Sequence, residues 1–139
     1  MRVTKKTGYG LIAMVELANN GNRRYLSTTQ VSEKYELPQP FLEKIMNELK
    51  SAGLVKVRRG REGGYGLVKG AGDIPIAEIV HILEEDSCAP VSCLNPDYDQ
   101  NCPLQGRCPT ERFWQLVYEK LTQTLESFTL ADLAEMVEG

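Results

Sequence analysis

Residues 27–68 of the chain read STTQVSEKYELPQPFLEKIMNELKSAGLVKVRRGREGGYGLV. The first four of these residues have the spacing of a capping box, which predicts a short helix running to about Tyr35. The proline-containing break ELPQP at residues 36–40 separates it from a second helix predicted over residues 41–52, whose apolar residues recur on one face. Two short helices joined by a tight turn indicate a helix-turn-helix.

A β-hairpin is predicted at the end of the same stretch. Residues 54–57 (LVKV) alternate in the manner of a strand, and residues 65–68 (YGLV) form a return strand. Between them lies the glycine-rich basic tip RRGREGG at residues 58–64. A hairpin with a cationic tip directly after the second helix is a wing, so we expect a winged-helix DNA-binding domain over residues 1–72.

Helices are predicted on both sides of this stretch. A first helix has apolar residues at Leu11, Met14, Val15 and Ala18. A linking helix is expected within residues 73–87, with Pro75 suited to its first turn. A final short helix starting at Thr129 is expected to face Leu130, Leu133, Ala134 and Val137 inward.

A long helix is predicted near the end of the chain, within residues 110–139. One near-heptad seam on it contains Trp114, Val117, Tyr118, Leu121, Leu125 and Phe128. The seam is longer than a small domain needs for itself, which favours a dimerisation helix and therefore a homodimer. A long helix packed on its own domain is the alternative. The expected fold is mainly α with a small β-hairpin: a winged helix-turn-helix plus a long dimerisation helix.

Charge is distributed unevenly along the chain. The formal net charge is −3, yet residues 1–70 contain 13 Lys and Arg against 6 Asp and Glu. Residues 71–139 contain 3 against 13. A basic front half indicates a polyanionic partner, and an acidic rear half indicates a part that does not touch it.

The compartment and the class of protein follow from what the chain lacks. The basic N-terminus is not followed by an apolar segment with a cleavage site, and no stretch is long and apolar enough to span a membrane. We expect a cytoplasmic protein with no membrane partner, in which thiols stay reduced. One histidine and no phosphate-binding glycine loop argue against an enzyme.

The second helix of a helix-turn-helix presents its N-terminal residues to the base edges of the major groove. Gln39 can pair with adenine and Glu43 can accept from cytosine N4, while Lys44 suits a phosphate. The wing arginines suit phosphates or the narrow minor groove: Arg58, Arg59 and Arg61. The alternative for Glu43 and Lys44 is the solvated face of an amphipathic helix.

All four cysteines lie in one polar segment rich in turn-forming residues: Cys88, Cys93, Cys102 and Cys108. Such a segment needs something to organise it. Disulfides are disfavoured by the compartment. Zinc sites usually contain a C-x2–4-C pair, and Cys88 and Cys93 are the only near match, so zinc is not favoured but stays open. An iron–sulfur cluster tolerates the wider spacing and would order the segment.

The chain resembles the IscR-like regulators of the Rrf2 superfamily over nearly its whole length. The resemblance is carried by the start MRVTKKTGYG, by Phe41-Leu42-Glu43, Gly53-Leu54-Val55, Arg59-Gly60 and Gly63-Gly64-Tyr65, and by the cysteine segment running into Trp114. It implies a homodimeric winged-helix transcription factor that binds double-stranded DNA, with Glu43 reading bases and Arg59 contacting DNA from the wing.

In cluster-binding members of that family, three cysteines of this segment hold the cluster, and here they correspond to Cys93, Cys102 and Cys108 within a cluster-binding loop at residues 88–109. Glu111 stands where some members have a histidine ligand, and it is the favoured fourth ligand, with Cys88 as the substitute. A 2Fe–2S cluster is favoured over 4Fe–4S.

The expected function is a transcriptional regulator whose DNA affinity or specificity depends on an iron–sulfur cluster, in response to iron–sulfur status, redox state or nitric oxide. Two alternatives stay open. One is a cluster-free winged-helix repressor controlled by a protein or small-molecule partner, and the other is a zinc-stabilised repressor.

Overall fold

The structure is a computed structural model that describes residues 3–20, 25–84 and 102–137. In chain order its elements are α1 (Lys5–Ala18), α2 (Thr28–Tyr35), α3 (Gln39–Ser51), β1 (Val55–Arg58), β2 (Gly64–Leu67), α4 (Ile76–Leu83), α5 (Glu111–Ser127) and α6 (Leu130–Val137), with a 3-10 turn at Ala71–Asp73. The predicted fold class, mainly α with one β-hairpin, is confirmed.

The capping box predicted at the start of α2 is present. Ser27 Oγ accepts a hydrogen bond from the N–H of Gln30 at 3.2 Å, and Gln30 Oε1 accepts one from the N–H of Ser27 at 3.0 Å. At the other end, Glu36 adopts the left-handed conformation with φ of 56°. This turn ends α2 and directs the chain into α3.

Helix α3 begins at Gln39, two residues before the start predicted from the proline-containing break. Pro38 is the N-cap and Pro40 lies in the first turn. Proline is accepted there because the first N–H groups of a helix have no partner within the helix. The break between α2 and α3 is therefore tighter than the sequence indicated.

Helix α3 supplies the centre of the core, as its periodicity predicted. Its buried residues are Leu42, Ile45, Met46 and Leu49, each at most 2% exposed. Helix α1 buries Ala13, Met14 and Val15, whereas Leu11 and Ala18 are only partly buried. The buried face of α1 also includes Gly10, which lies against α4, where a Cβ would be 2.2 Å from Leu83 Cδ1.

The wing is a two-stranded antiparallel hairpin in which Val55 pairs with Leu67 and Arg58 pairs with Gly64. Its second strand is hydrogen-bonded to Leu26, two residues before the start of α2. Leu26 N–H donates to the carbonyl of Tyr65 at 2.9 Å, and Tyr65 N–H donates to the carbonyl of Leu26 at 2.8 Å. The wing is thus joined to the helix-turn-helix by backbone hydrogen bonds in both directions.

The C-terminal part of the chain returns to the core beside α4. Ile76 N–H donates to the carbonyl of Phe128, and Leu130 N–H donates to the carbonyl of Ile74, both at 2.8 Å. Helix α6 then packs on α1 through Leu130 and Ala134.

The expectation that Val137 faces inward is wrong, because Val137 is 53% exposed. Asn19, which follows α1, donates through its side-chain amide to the carbonyl of Ala134 at 3.3 Å. The last turn of α6 therefore extends past the end of α1.

Helix α5 contains no fully buried residue. Trp114, Val117, Tyr118, Leu121 and Leu125 of the predicted seam are partly buried, and Phe128 is 41% exposed. Phe113 and Leu116, which lie beside the seam, are also exposed. This long helix thus carries more apolar surface than its own chain covers within the described residues.

Glu84, the residue after α4, ties that helix to the start of α1. Its Oε2 accepts hydrogen bonds from the N–H of Thr4 at 3.0 Å, from the hydroxyl of Thr4 at 2.8 Å and from the hydroxyl of Thr7. Burial alone would raise the pKa of Glu84, but the hydrogen bonds from Thr7 and Thr4 outweigh it and lower the pKa from its ordinary value of 4.5. The ionised carboxylate therefore stabilises the fold.

Replacing Glu84 by Gln is expected to lower the free energy of unfolding by about 1.5–3 kcal/mol at pH 7, the usual range for hydrogen bonds to a charged group. Because the pKa of Glu84 is lowered in the folded state, its stabilisation is present above pH 4.5 and is lost as the pH falls through the lowered pKa. The difference between wild type and Glu84→Gln in urea denaturation should therefore shrink below pH 4.5.

The exposed Glu33 of α2 provides a matched control, since Glu33→Gln should leave the unfolding free energy nearly unchanged. A Glu84→Gln difference that stays constant from pH 7 to pH 3 would contradict the assignment.

Candidate nucleic-acid interface and cysteine site

The N-terminal end of α3 presents Gln39 and Glu43 on its exposed side. Gln39 Nε2 donates to the hydroxyl of Thr29 at 2.8 Å, so the side-chain amide is oriented by the first turn of α2. Both residues stand where the sequence predicted base-reading side chains.

The carboxylate of Glu43 is held by two hydroxyl groups from other elements. Its Oε1 accepts from Thr28, the first residue of α2, and its Oε2 accepts from the hydroxyl of Tyr65 in β2 at 3.2 Å. Glu43 is therefore more than a solvated residue of an amphipathic face, since it joins α2, α3 and the wing.

Lys44 points elsewhere, because one residue along an α-helix is a rotation of about 100°. It lines a shallow groove between α3 and α4, together with Asn47, Ser51 and Ile82. Lys44 is exposed at the side of α3, the second or recognition helix of the helix-turn-helix, where it is available to a phosphate.

The wing carries its three arginines at the end of β1 and in the turn. The guanidinium of Arg58 lies 5.6 Å from the centre of the Tyr25 ring, a cation–π contact that orients it. Arg59 and Arg61 are exposed in the turn. The structure therefore places these cations on the projecting part of the domain.

Two glycines allow close backbone contacts of the wing, Gly63 within its own turn and Gly64 with the rest of the domain. A Cβ on Gly63 would be 2.1 Å from the carbonyl oxygen of Arg58. Gly64 has φ of +148°, and a Cβ there would be 2.5 Å from the carbonyl of Leu26. Any other residue at Gly64 would push β2 away from Leu26.

The two cysteines within the described residues flank a turn that leads into α5. Cys102 is exposed and precedes the turn, where Gly106 has φ of 81°, and Cys108 is partly buried just before the helix. Cys88 and Cys93 lie outside the described residues. Glu111 is the first residue of α5 and is exposed, and its N–H donates to the carbonyl of Cys108 at 3.3 Å.

The environment of Cys108 favours the thiolate. Its Sγ lies 3.2 Å from Oγ1 of Thr110. Hydrogen bonds from the Thr110 side chain and from the backbone N–H groups of Thr110 and Glu111 lower the pKa of the Cys108 thiol, although the charge of Glu111 opposes them. A thiolate is the form that binds metals.

No three His, Cys, Asp or Glu side chains within residues 3–20, 25–84 and 102–137 are grouped closely enough to hold a metal ion. The ligand set Cys93, Cys102, Cys108 and Glu111 stays a prediction, because Cys93 falls outside these ranges. His81, the only histidine, is exposed on α4. Within the same ranges, no helix is long and apolar enough to cross a membrane.

Sequence reasoning missed Thr28 and Tyr65 as partners of Glu43. The capping box predicted the end of the helix at which Thr28 lies, and the strand pattern predicted the position of Tyr65 in the wing. Neither pattern shows how the wing folds back over α3, so the three-way contact had no sequence signal.

A helix-turn-helix with a docked cationic wing and exposed polar residues at the start of its second helix defines a winged-helix DNA-binding protein. A family model described as "Rrf2: Iron-dependent Transcriptional regulator" matches residues 3–136. The chain belongs to the Rrf2 family of transcriptional regulators. This confirms the predicted family and the prediction that the chain is not an enzyme.

Several relatives support this membership. Protein rrf2 of Nitratidesulfovibrio vulgaris is 32% identical over 133 residues, which cover 96% of this chain and 87% of the relative. The solved structure of CymR, described as the global cysteine regulator of B. subtilis, is similar with a TM-score of 0.82 and 30% identity, covering 98% of both chains. T. potens IscR is similar with a TM-score of 0.75 and 31% identity, covering 99% of this chain and 88% of the other.

Replacing Arg59 by Ala is expected to weaken DNA binding and to lower the slope of log K against log salt by about one unit, because one phosphate contact releases about one counterion. Fluorescence anisotropy at several salt concentrations measures this slope. Arg112 on α5 is an exposed arginine in the acidic half of the chain and provides the control, since Arg112→Ala should leave the slope unchanged. An unchanged slope for Arg59→Ala would remove Arg59 from the interface.

Proposed function

We propose that the chain is a homodimeric transcriptional regulator whose affinity for DNA is controlled by an iron–sulfur cluster. The observation that carries the DNA-binding part is the hydrogen bond from Tyr65 of the wing to Glu43 of α3. It places the wing beside the N-terminal end of the recognition helix. Base-reading and phosphate-binding side chains then face one duplex together.

On this surface Gln39 and Glu43 read base edges in the major groove, Gln39 an adenine and Glu43 the N4 amino group of a cytosine. Lys44 binds a phosphate beside the recognition helix. The wing arginines bind phosphates or enter the adjacent minor groove: Arg58, Arg59 and Arg61. Their exposure supports these roles.

The described part of the cysteine site fits an iron–sulfur cluster in its donor chemistry. Hydrogen bonds from Thr110 lower the pKa of the Cys108 thiol, and Cys102 is exposed six residues before it. Cys93, Cys102 and Cys108 would hold the iron as thiolate ligands, with Glu111 as a carboxylate ligand that binds iron less firmly. When bound, such a cluster, 2Fe–2S in preference to 4Fe–4S, would supply a centre sensitive to iron supply and oxidation.

The positions of these residues support control of DNA binding by the site. Cys108 and Glu111 adjoin the start of α5. At the other end of the cysteine segment, Glu84 is hydrogen-bonded to Thr4 and Thr7 at the start of α1. Binding of a cluster by the segment between them would act on both helices and shift the population of DNA-binding conformations.

Protein purified without oxygen is expected to show visible absorbance and to contain iron and acid-labile sulfide in matched amounts. Cys102→Ser and Cys108→Ser should each lose most of this absorbance and iron, and Glu111→Ala should lose the cluster faster in air. Metal analysis and absorbance spectroscopy measure these effects.

Cys88→Ser is the comparison variant, because it removes a thiol of the same segment that is only the substitute for Glu111. It should retain the absorbance and iron, and their loss would make Cys88 the fourth ligand in place of Glu111. Colourless protein containing zinc would contradict the cluster and favour the zinc-stabilised repressor. Colourless protein without zinc would favour a cluster-free regulator.

The apolar surface of α5 supports the homodimer. Phe113 is 57% exposed and Leu116 is 38% exposed, and the seam residues of the same helix are only partly covered. Pairing of this helix with its copy in a second chain would bury that surface, and each buried side chain would contribute roughly 1 kcal/mol or more. A dimer also matches two half-sites on one duplex.

Replacing Leu121 in the seam by Asp should raise the dimer dissociation constant at least about tenfold, because a charge would be buried at the contact. Gln123→Asp, an exposed change on the same helix, should leave the dimer intact. Analytical ultracentrifugation measures the dissociation constant, and circular dichroism confirms that each variant is folded. A Leu121→Asp variant as dimeric as wild type would contradict this interface.

A cluster-free regulator is the second candidate. The likeness to CymR, whose structure is described as that of a global cysteine regulator, favours it. In that case a protein or small-molecule partner, rather than a cluster, controls the affinity for DNA, and the cysteine variants above bind DNA as wild type does.

A further inference from the structure

The Glu43 carboxylate is positioned by two side chains that come from outside its own helix. Thr28 donates to one oxygen and Tyr65 donates to the other. Thr28 is 5% exposed and Tyr65 is partly buried, so both donors are held within the fold. Glu43 itself is exposed, so its carboxylate remains open to a ligand from solvent.

Both hydroxyls remain donors under ordinary conditions. Burial raises the pKa of Tyr65, and the neighbouring charge of Glu43 raises it further, so Tyr65 stays protonated. A threonine hydroxyl does not titrate. An ionised carboxylate has about four acceptor positions, and the two hydroxyls occupy one on each oxygen. The remaining positions can accept an N–H from a base.

The Tyr65 hydroxyl is itself fixed by the way the wing is fastened. The backbone of Tyr65 exchanges two hydrogen bonds with Leu26, and Gly64 permits the close approach. Thr28 is fixed by the capping box that begins α2. Two independently anchored elements therefore determine where the Glu43 carboxylate points.

Orientation matters for a carboxylate that faces DNA. A freely rotating Glu side chain must be ordered upon binding, and its charge is repelled by the phosphates unless it reaches a donor on a base. A side chain already held in place avoids the ordering step and rejects bases that offer no N–H at that point. Discrimination between bases therefore depends on the hydroxyls of Thr28 and Tyr65 as well as on Glu43.

We propose that Tyr65 and Thr28 are positioning residues that set the base specificity of Glu43, and that the ligand they prepare it for is an amino group in the major groove, best matched by cytosine N4. This inference rests on the proposed DNA-binding function. In this arrangement the wing helps to determine which base the recognition helix binds. It does so through Tyr65, which need not contact DNA itself.

The test is equilibrium binding of the full-length protein to a pool of duplexes with a randomised segment, followed by sequencing of the bound and unbound fractions. The measured quantity is the ratio of preferred to non-preferred base at each position. Glu43→Ala identifies the position that Glu43 reads. Tyr65→Phe and Thr28→Val should each reduce the preference at that same position by about three- to tenfold, with the preferences elsewhere retained.

Two comparisons separate positioning from a general structural effect. Tyr35→Phe removes a hydrogen bond of the same kind, from a tyrosine hydroxyl to the carboxylate of Glu16, and should leave the preference unchanged. Thr28→Ser keeps a hydroxyl and should retain the preference. In the double variant Tyr65→Phe with Glu43→Ala, the preference should equal that of Glu43→Ala alone, because the hydroxyl acts through the carboxylate.

The outcomes are distinguishable. Loss of preference in Glu43→Ala but not in Tyr65→Phe or Thr28→Val overturns the positioning role and leaves base reading by Glu43 intact. A uniform loss of affinity in Tyr65→Phe, or additive losses in the double variant, also overturns it. If Glu43→Ala changes no position, base reading by Glu43 fails together with the inference, and a pool with no enriched sequence contradicts specific DNA binding.

Discussion

The two backbone hydrogen bonds between Leu26 and Tyr65 determine how the DNA-binding surface is assembled. They join the second strand of the wing to the segment just before α2, at distances of 2.9 and 2.8 Å. The approach requires glycine at residue 64, and it brings the Tyr65 hydroxyl to Glu43. One short contact thus sets the position of the wing arginines and the orientation of a residue on the recognition helix.

The sequence alone predicted those elements that depend on interactions between residues close together in the chain. The capping box at Ser27, the periodic apolar residues of α3 and the alternating strands of the wing each describe interactions among near neighbours, and all three predictions are confirmed. Some predicted helix boundaries differ from the observed ones by one or two residues, where a residue that usually ends a helix is tolerated inside it. The proline at residue 40, for example, lies within the first turn of α3 instead of before it.

Contacts between distant parts of the chain had no such signal. Glu84 and Thr4 are separated by 80 residues, and their hydrogen bonds depend on how α4 packs on α1. The same holds for Glu43 with Tyr65, where only the docked wing brings the two side chains together. The sequence pattern predicted the helices on which these groups lie, but the partner of each group was decided by packing.

In the proposed mechanism, the cysteine segment connects Glu84, which follows α4 and is hydrogen-bonded to the start of α1, with the N-terminus of α5. A cluster bound there would therefore act on the first helix of the winged-helix domain and on the helix proposed to form the dimer. The most direct measurement compares DNA affinity for the anaerobic protein with its cluster and for the same protein after the iron is removed, on one duplex and at one salt concentration. Control by the cluster predicts dissociation constants that differ by about five- to 150-fold, the usual range of coupling between two sites. Equal dissociation constants for the two forms would contradict it.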